Sequence, residues 1–427
     1  MGCVLETYAG LEERMSVSGT GSRKGEIRIM GRALDGIRVL DLTLWEAGPS
    51  CTETLAWLGA EVIKIEPPGG EPTRRGLSED PDKDSWFFLL LNANKKGVTL
   101  NLKSERGRAL FERLAMDADV VVENLGPGAV ERLGLGYERL RQINPRIVLA
   151  SIKGFGSTGP YAQFKSYEWI AQAMGGVMSQ TGPADGPPMR VQAGLGDTAS
   201  GIHAVVGILA ALLQRHTTGV GQRIEIAQQD VVVNLRRVYF SDYYQSGTPG
   251  PRAGNRSATS APSNVYRCRP FGANDYVFLH ANTPEMWRAL TRVIGRPELA
   301  DDSRYGTLTS RVQRVDEVDA LVERWTETHT KQEAMDLLAA AGVPCGAVLD
   351  SVEVMSNRHL IERGMIVDVE HPVRGKFRMP GNAIQMSGSP TKVTRAPLVG
   401  EHNQEVFGKL AGLSDDELAS LTVDGVI

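Results

Sequence analysis

Short apolar runs recur through the first part of the chain. They are GIRVLDLT (36–43), AEVIKIEPP (60–68), GVTLNLKS (97–104), DVVVENL (119–125) and RIVLASIKGFG (146–156). Each is too short for a helix and ends in polar, Gly or Pro residues, so each predicts a buried strand. Between them lie segments with helical spacing, CTETLAWLGA, ERGRALFERLAMDA and GAVERLGLGYERLRQIN, the last read as one helical span. Strand and helix in alternation predict a parallel sheet with helices on both faces. The expected class is therefore α/β, a doubly wound, Rossmann-like large domain. Its ligand edge lies at the carboxyl ends of the strands, Thr43–Gly48, Glu66–Gly70, Glu123–Gly128 and Lys153–Gly156.

Farther along, SGIHAVVGILAALLQRH reads as a buried helix stopped by TGVGQ, and QRIEIAQQDVVVNL as a strand followed by a helix. The stretch 246–263 is dense in Gly, Pro, Ser and Thr and reads as a functional loop. After it come a strand, NDYVFLHA, and amphipathic helices that predict a smaller α+β domain with Tyr266, Trp287 and Trp325 in its core. The expected division is a mobile extension over 1–33, a large domain over 34–230 and a linker with active-site loop over 231–263. A small domain over 264–343 and a C-terminal segment over 344–427 complete it. Residues 1–30 carry no patterned sequence and no signal-peptide core, and Met15 and Met30 are alternative starts.

Composition narrows the function classes. At 427 residues, two domains are the default. A net charge of −4 gives no reason to expect nucleic acid or a membrane as partner. No apolar run looks long enough to span a bilayer. The four cysteines, Cys3, Cys51, Cys268 and Cys345, form no CxxC pair, so a metal site is not expected and a reducing cytoplasm is. Neither GxGxxG nor GxxxxGK[ST] is present, which argues against a dinucleotide or a P-loop nucleotide.

Candidate chemistry centres on AGLGDTASGIHA (193–204), which sets Asp197 between a glycine turn and the start of an apolar helix. Such a carboxylate suits an N-cap or a nucleophile. Glu168, in FKSYEWIAQAMGG, suits a first-turn acid or a second site carboxylate. Glu46 either starts the following helix or faces the ligand. Lys103, Arg132 and Lys165 are surface charges singly, but together on one sheet edge they suit a phosphorylated anion, with Asn124 and Gly126 supplying amides. His203 reads as a packed, hydrogen-bonded histidine.

The motifs LDGIRVLDLT, AGP, LAWLGAEVIKIEPPGG, NANKKGVTLNLK, VVENLGPGAVERLGLGY, GLGDTASG, AGVPCGAV and TRAPLVGEHN, in this order, resemble the class III CoA-transferases from about Leu34 to the C-terminus. The formyl-CoA:oxalate CoA-transferases are the best-known members of that family. The resemblance implies a homodimer of two chains interlocked like rings, with the C-terminal segment returning to the first domain. It implies that Asp197 attacks an acyl-CoA thioester, giving an aspartyl anhydride and then an aspartyl-CoA thioester. CoA or acyl-CoA is then a substrate rather than a tightly bound cofactor, and the partner is a small carboxylic acid. Glycine N–H groups beside Asp197 are expected to face the oxyanion. Glu168 and Glu46 match positions near the reacting centre. CoA contacts are implied at Ala47, Leu100, Asn101, Leu102, Lys103, Asn124, Leu125, Gly126, Arg132 and Lys165.

Two departures bear on the substrate. Glu46 stands where formyl-CoA members carry Gln, and an added carboxylate repels a small dianion. The active-site loop reads GNRSATSAPS (254–263), with Ser257 and Thr259 among residues replacing glycines, and Arg256 is placed to pair with a remote carboxylate of a larger acid. The expected pair is formyl-CoA with oxalate, or succinyl-CoA with a dicarboxylic or aryl acid. Alternatives are an acyl-CoA racemase or epimerase, whose partner histidine is missing near Glu168, and one subunit of a heteromeric CoA-transferase.

Overall fold

A computed structural model describes residues 31–427. The expectations for residues 1–30 lie outside the described residues. Six strands form one sheet: β1 (Arg38–Asp41), β2 (Glu61–Glu66), β3 (Lys96–Thr99), β4 (Val120–Glu123), β5 (Val148–Lys153) and β6 (Arg223–Ala227). All neighbours pair parallel, in the order β3-β2-β1-β4-β5-β6. The order reverses direction between β1 and β4, and that switch point opens a crevice at the carboxyl ends of the strands.

Alternation along the strands divides two cores. Leu40, Ile63, Val121 and Leu149 face one side, while Val39, Val62, Val120, Val122 and Val148 face the other. The second side is covered by helix Ala47–Trp57 and by the 21-residue helix Thr198–Thr218. By length and composition this long helix is apolar enough to cross a membrane, contrary to the sequence expectation. Here it packs through Gly201, Ala204, Val205, Ile208 and Ala211, as a core helix does.

The span 128–144 is two short helices, Ala129–Arg132 and Tyr137–Ile143. Gly134 between them has φ +75°, a conformation that ends the first helix. Helix Gln228–Leu235 is the one expected after β6, and a further helix, Phe240–Ser246, precedes the Gly- and Pro-rich loop.

A second sheet is antiparallel: β7 (Ser263–Arg267), β8 (Tyr276–His280) and β9 (Cys345–Ala347). Its core holds Tyr266, Trp287, Leu290, Val318 and Val322, with Trp325 partly buried against them. Cys345–Ala347 pairs with β8, so this sheet continues past the expected boundary at 343. A hairpin follows, β10 (Ile366–His371) with β11 (Gly375–Pro380). The last helices, Gln404–Leu410 and Asp415–Val423, put Val406, Phe407, Leu418 and Leu421 into the same core as Leu40 and Ile63.

Candidate active site

The turn after β1 is held from below by buried charge. Asp41 accepts from Thr43 N (2.9 Å), Thr43 Oγ1 (2.5 Å), Thr52 Oγ1 (2.7 Å) and Lys95 Nζ (3.1 Å). Lys64 Nζ donates to the Thr43 carbonyl (2.9 Å) and to Glu71 (2.9 Å). Burial works to raise the Asp41 pKa, but Lys95, Lys64 and the two threonine hydroxyls hold it below the ordinary carboxyl value. From the far side of the switch point, Asn124 clamps the Leu44 peptide. Its Oδ1 accepts from Leu44 N (2.8 Å) and its Nδ2 donates to Leu44 O (2.7 Å). With both ends fixed, Trp45 sits at φ +63°. That conformation costs a bulky L residue about 1–3 kcal/mol, and a surrounding network such as this one is what sustains it.

Glu46 lies at the head of helix Ala47–Trp57 but makes no capping hydrogen bond. Its Oε1 accepts from Thr198 Oγ1 (2.7 Å), across to the long helix. Asp197 heads that helix, also without capping it. The N-cap reading of Asp197 therefore fails in geometry, and its carboxylate is free for another task. Its Oδ1 accepts from the Gln228 side-chain amide. Its Oδ2 takes no hydrogen bond among the described residues.

Glu168 explains the glycines. Its Oε2 accepts from Gly196 N (2.8 Å) and Asp197 N (2.6 Å). A Cβ on Gly196 would stand 2.8 Å from Ala171 Cβ and 3.0 Å from the Glu168 carbonyl, so only glycine permits this approach. The other oxygen, Glu168 Oε1, accepts from Gln172 Nε2 (2.6 Å), and the fully buried Gln172 also bonds the Val191 peptide at both its N–H (2.9 Å) and its carbonyl (2.8 Å). Of the glycine N–H groups expected to face an oxyanion, that of Gly196 is thus taken by Glu168. Backbone N–H groups bonded to a carboxyl oxygen in this way are among the stronger hydrogen bonds of a fold.

Three carboxyl groups meet here. Burial first, then the charges of Glu46 and Glu168, push the Asp197 pKa up to about 7, while the Gln228 amide opposes the rise. Asp197 and Gln228 lie in the wall of a cavity of about 310 Å³ at the switch point. Ala47, Asn124, Leu125, Gly126 and Lys165 also line it, alongside Trp45, Phe155, Phe164 and Tyr167. Trp45 and Tyr167 meet edge to face with centroids 6.4 Å apart.

Other expected residues stand apart from this cavity. Leu100, Asn101, Leu102 and Lys103 follow β3, where Asn101 N bonds the Val426 carbonyl (2.8 Å). Arg132 turns back to the Pro127 carbonyl (2.9 Å), at the cavity rim. Arg256 is not presented to a substrate. It pairs with Asp316 (2.8 Å) and Asp319 (2.8 Å), two carboxylates on helix Val315–Thr326, which satisfy its charge locally. Ser257 and Thr259 lie on the same loop outside the cavity wall. His203 Nδ1 is 2.7 Å from the Ala199 carbonyl. Sequence reasoning missed Gln228, although the rule that found the other sites also covers it: it is the first residue beyond the carboxyl end of β6.

A family model described as CoA-transferase family III matches residues 34–403. Among known proteins, the formyl-CoA:oxalate CoA-transferase of Streptomyces avermitilis is 47% identical over 411 residues, covering 93% of this chain and 100% of that protein. The Streptomyces coelicolor protein of the same name is 47% identical over 409 residues, covering 93% and 99%. A crystal structure of a CAIB/BAIF family protein from Brucella suis superposes with a TM-score of 0.80 at 32% identity, covering 89% of this chain and 100% of that one.

Proposed function

The chain belongs to CoA-transferase family III and is a CoA-transferase, and from that premise we propose that it moves CoA reversibly from an acyl-CoA thioester to a small carboxylic acid through covalent intermediates on Asp197. The observation that carries this reading is the Asp197 carboxylate. Among the described residues it caps nothing and has one oxygen held and the other unbonded, and it lines the cavity at the switch point.

The ionised Oδ2 attacks the thioester carbonyl. The carbon–sulfur bond breaks, CoA leaves as thiolate, and a mixed anhydride joins the acyl group to Asp197. The thiolate then attacks Asp197 Cγ. The donor acid departs with the bridging oxygen, leaving an aspartyl-CoA thioester. The acceptor carboxylate attacks the same Cγ and expels the thiolate, which finally takes the new acyl group and regenerates the aspartate. A pKa of about 7 keeps a working share of Asp197 ionised at neutral pH while making it a better nucleophile than an ordinary carboxylate.

Ala47, Asn124, Leu125, Gly126 and Lys165 would border the CoA arm, since they share the cavity wall with Asp197. Formyl-CoA and oxalate, the pair in the relatives' names, are the first donor and acceptor to test. No histidine lines the cavity among the described residues, which favours transfer over the racemase alternative. The working assembly is a homodimer. On the long helix, Val206 and Leu213 are 64% and 75% exposed, far more than a lone chain's core helix should leave in water.

The test is mass spectrometry of the protein mixed with formyl-CoA and then hydroxylamine. A hydroxamate at Asp197 is the expected product. Turnover of formyl-CoA and oxalate without any adduct at Asp197 would remove the covalent route.

A further inference from the structure

We infer that Gln228 is a catalytic residue, the oxyanion donor for the steps at Asp197 Cγ and the group that decides which Asp197 oxygen attacks. The inference rests on the covalent route proposed above. In that route two steps pass through a tetrahedral Cγ, one on attack by the CoA thiolate and one on attack by the acceptor carboxylate. In both, the electron pair of the Cγ carbonyl moves onto one Asp197 oxygen as the new bond forms, and it returns when the leaving group departs. A donor aimed at that oxygen lowers both barriers.

Two of the backbone donors beside Asp197 are spent. Gly196 N–H and Asp197 N–H both point at Glu168 Oε2. Glu46 and Glu168 are acceptors when ionised and oppose an oxyanion. Gln228 Nε2 is the one side-chain donor on the Asp197 carboxylate among the described residues, and it bonds Oδ1. An ionised carboxylate only accepts, so the amide must turn its NH₂ toward it. Gln228 is 6% exposed and begins helix Gln228–Leu235 straight after β6, which sits in the sheet through its pairing with β5. The donor is thus set on the sheet rather than on a loop.

The same contact divides the two oxygens by role. Oδ1 keeps its hydrogen bond through the cycle as the carbonyl oxygen of anhydride and thioester. Oδ2 is the unbonded nucleophile and becomes the bridging oxygen. It leaves with the donor acid and is replaced by an oxygen of the acceptor. Each turnover therefore exchanges Oδ2 and spares Oδ1.

Oxygen-18 reads this directly. Wild-type protein is given formyl-CoA and [18O]oxalate for many turnovers, with oxalyl-CoA formation followed by chromatography, and the Asp197 peptide is then weighed. The expected result is one labelled oxygen at Asp197 and no second. In Gln228→Met the carboxylate rotates between turnovers and both oxygens label. Its kcat falls roughly 10²- to 10³-fold, the usual loss for one oxyanion donor, with KM for formyl-CoA little changed. Two labelled oxygens in the wild type, or a wild-type kcat in Gln228→Met, would overturn the inference and leave the covalent route standing. Oxalyl-CoA formation with no label at all would overturn the route and the inference together. The wild-type arm needs no variant, so poor folding of Gln228→Met leaves the result decisive.

Discussion

Asp197 pays for its reactivity in stability. Its pKa in the folded chain is about 7 against an ordinary 3.8, so the folded state holds the proton more tightly than the unfolded chain. The native state therefore loses stability as pH climbs through that interval, and the loss is complete above about 7. Asp197→Asn removes the ionisation and is expected to stabilise the protein by roughly 1–4 kcal/mol well above neutrality, and by much less near pH 4. Thermal melts of both proteins at the two extremes check it; an equal difference at both would refute the assignment. Glu46 gives a second prediction. Glu46→Gln removes a charge that raises the Asp197 pKa, so the rising limb of kcat/KM against pH should move to lower pH. An unmoved limb would mean that Glu46 does not act on the nucleophile. Asp197 was legible from its glycine turn and Glu46 from its place beyond the end of β1, whereas the site roles of Glu168 and Glu46 came from the family resemblance. Their mutual arrangement was not legible. That Glu168 reaches Gly196 across 28 positions, and that Arg256 is consumed by Asp316 and Asp319, depends on packing between segments that periodicity describes only one at a time.

The long helix carrying Asp197 is positioned by its contact with helix Ala47–Trp57. At the crossing, a Cβ added to Gly201 would lie 2.5 Å from the Ala47 carbonyl and 2.9 Å from Cys51 N. Both contacts are to helix backbone, which cannot yield as a flexible side chain would. Gly201→Ala should therefore cost about 1–3 kcal/mol through overpacking. Because the displaced helix bears Asp197 at one end and Glu46 starts the other, kcat should fall with it. A melt and a rate measured on one preparation test both, and an unaltered Tm would show that the helices separate freely. Five of the six parallel strands could be read from the chain as short apolar runs closed by Gly, Pro or a polar residue, and β6 as an alternating stretch ahead of a helix. The break at Gly134 could not. Gly134 and Gly136 sit within good helical spacing, and the +75° φ of Gly134 belongs to a closing turn in which Leu135 N bonds the Val130 carbonyl (3.0 Å). The pairing of Cys345–Ala347 with β8 was hidden for a related reason: three residues carry too little pattern to show which strand they join.

The C-terminal helices bury Phe407 fully in the core that holds Leu40 and Ile63, and Arg74 ties the Pro397 carbonyl to Glu66 and Asp84. Chain remote in sequence thus completes the core beneath the sheet that forms the site. This arrangement leaves the opposite side of the long helix uncovered. Ile202, Val206 and Leu213 are exposed there, as are Val238, Tyr243 and Tyr244 on the segment after Gln228–Leu235. Exposed apolar side chains in this number destabilise a soluble monomer and are normally covered by association. The uncovered helix is also the one that carries Asp197, so losing a partner there is expected to lower activity as well as stability. Light scattering should give a mass twice the 46.3 kDa of the chain. Val206→Glu should shift the protein toward monomer or aggregate and lower activity in proportion to the dimer lost, because a charge buried in an apolar interface has no partner. If two rings interlock, differently tagged dimers mixed in native buffer should fail to exchange subunits over hours, since exchange then requires unfolding. Rapid exchange would point instead to a dimer that docks face to face, and a fully active monomer would remove association from the function altogether.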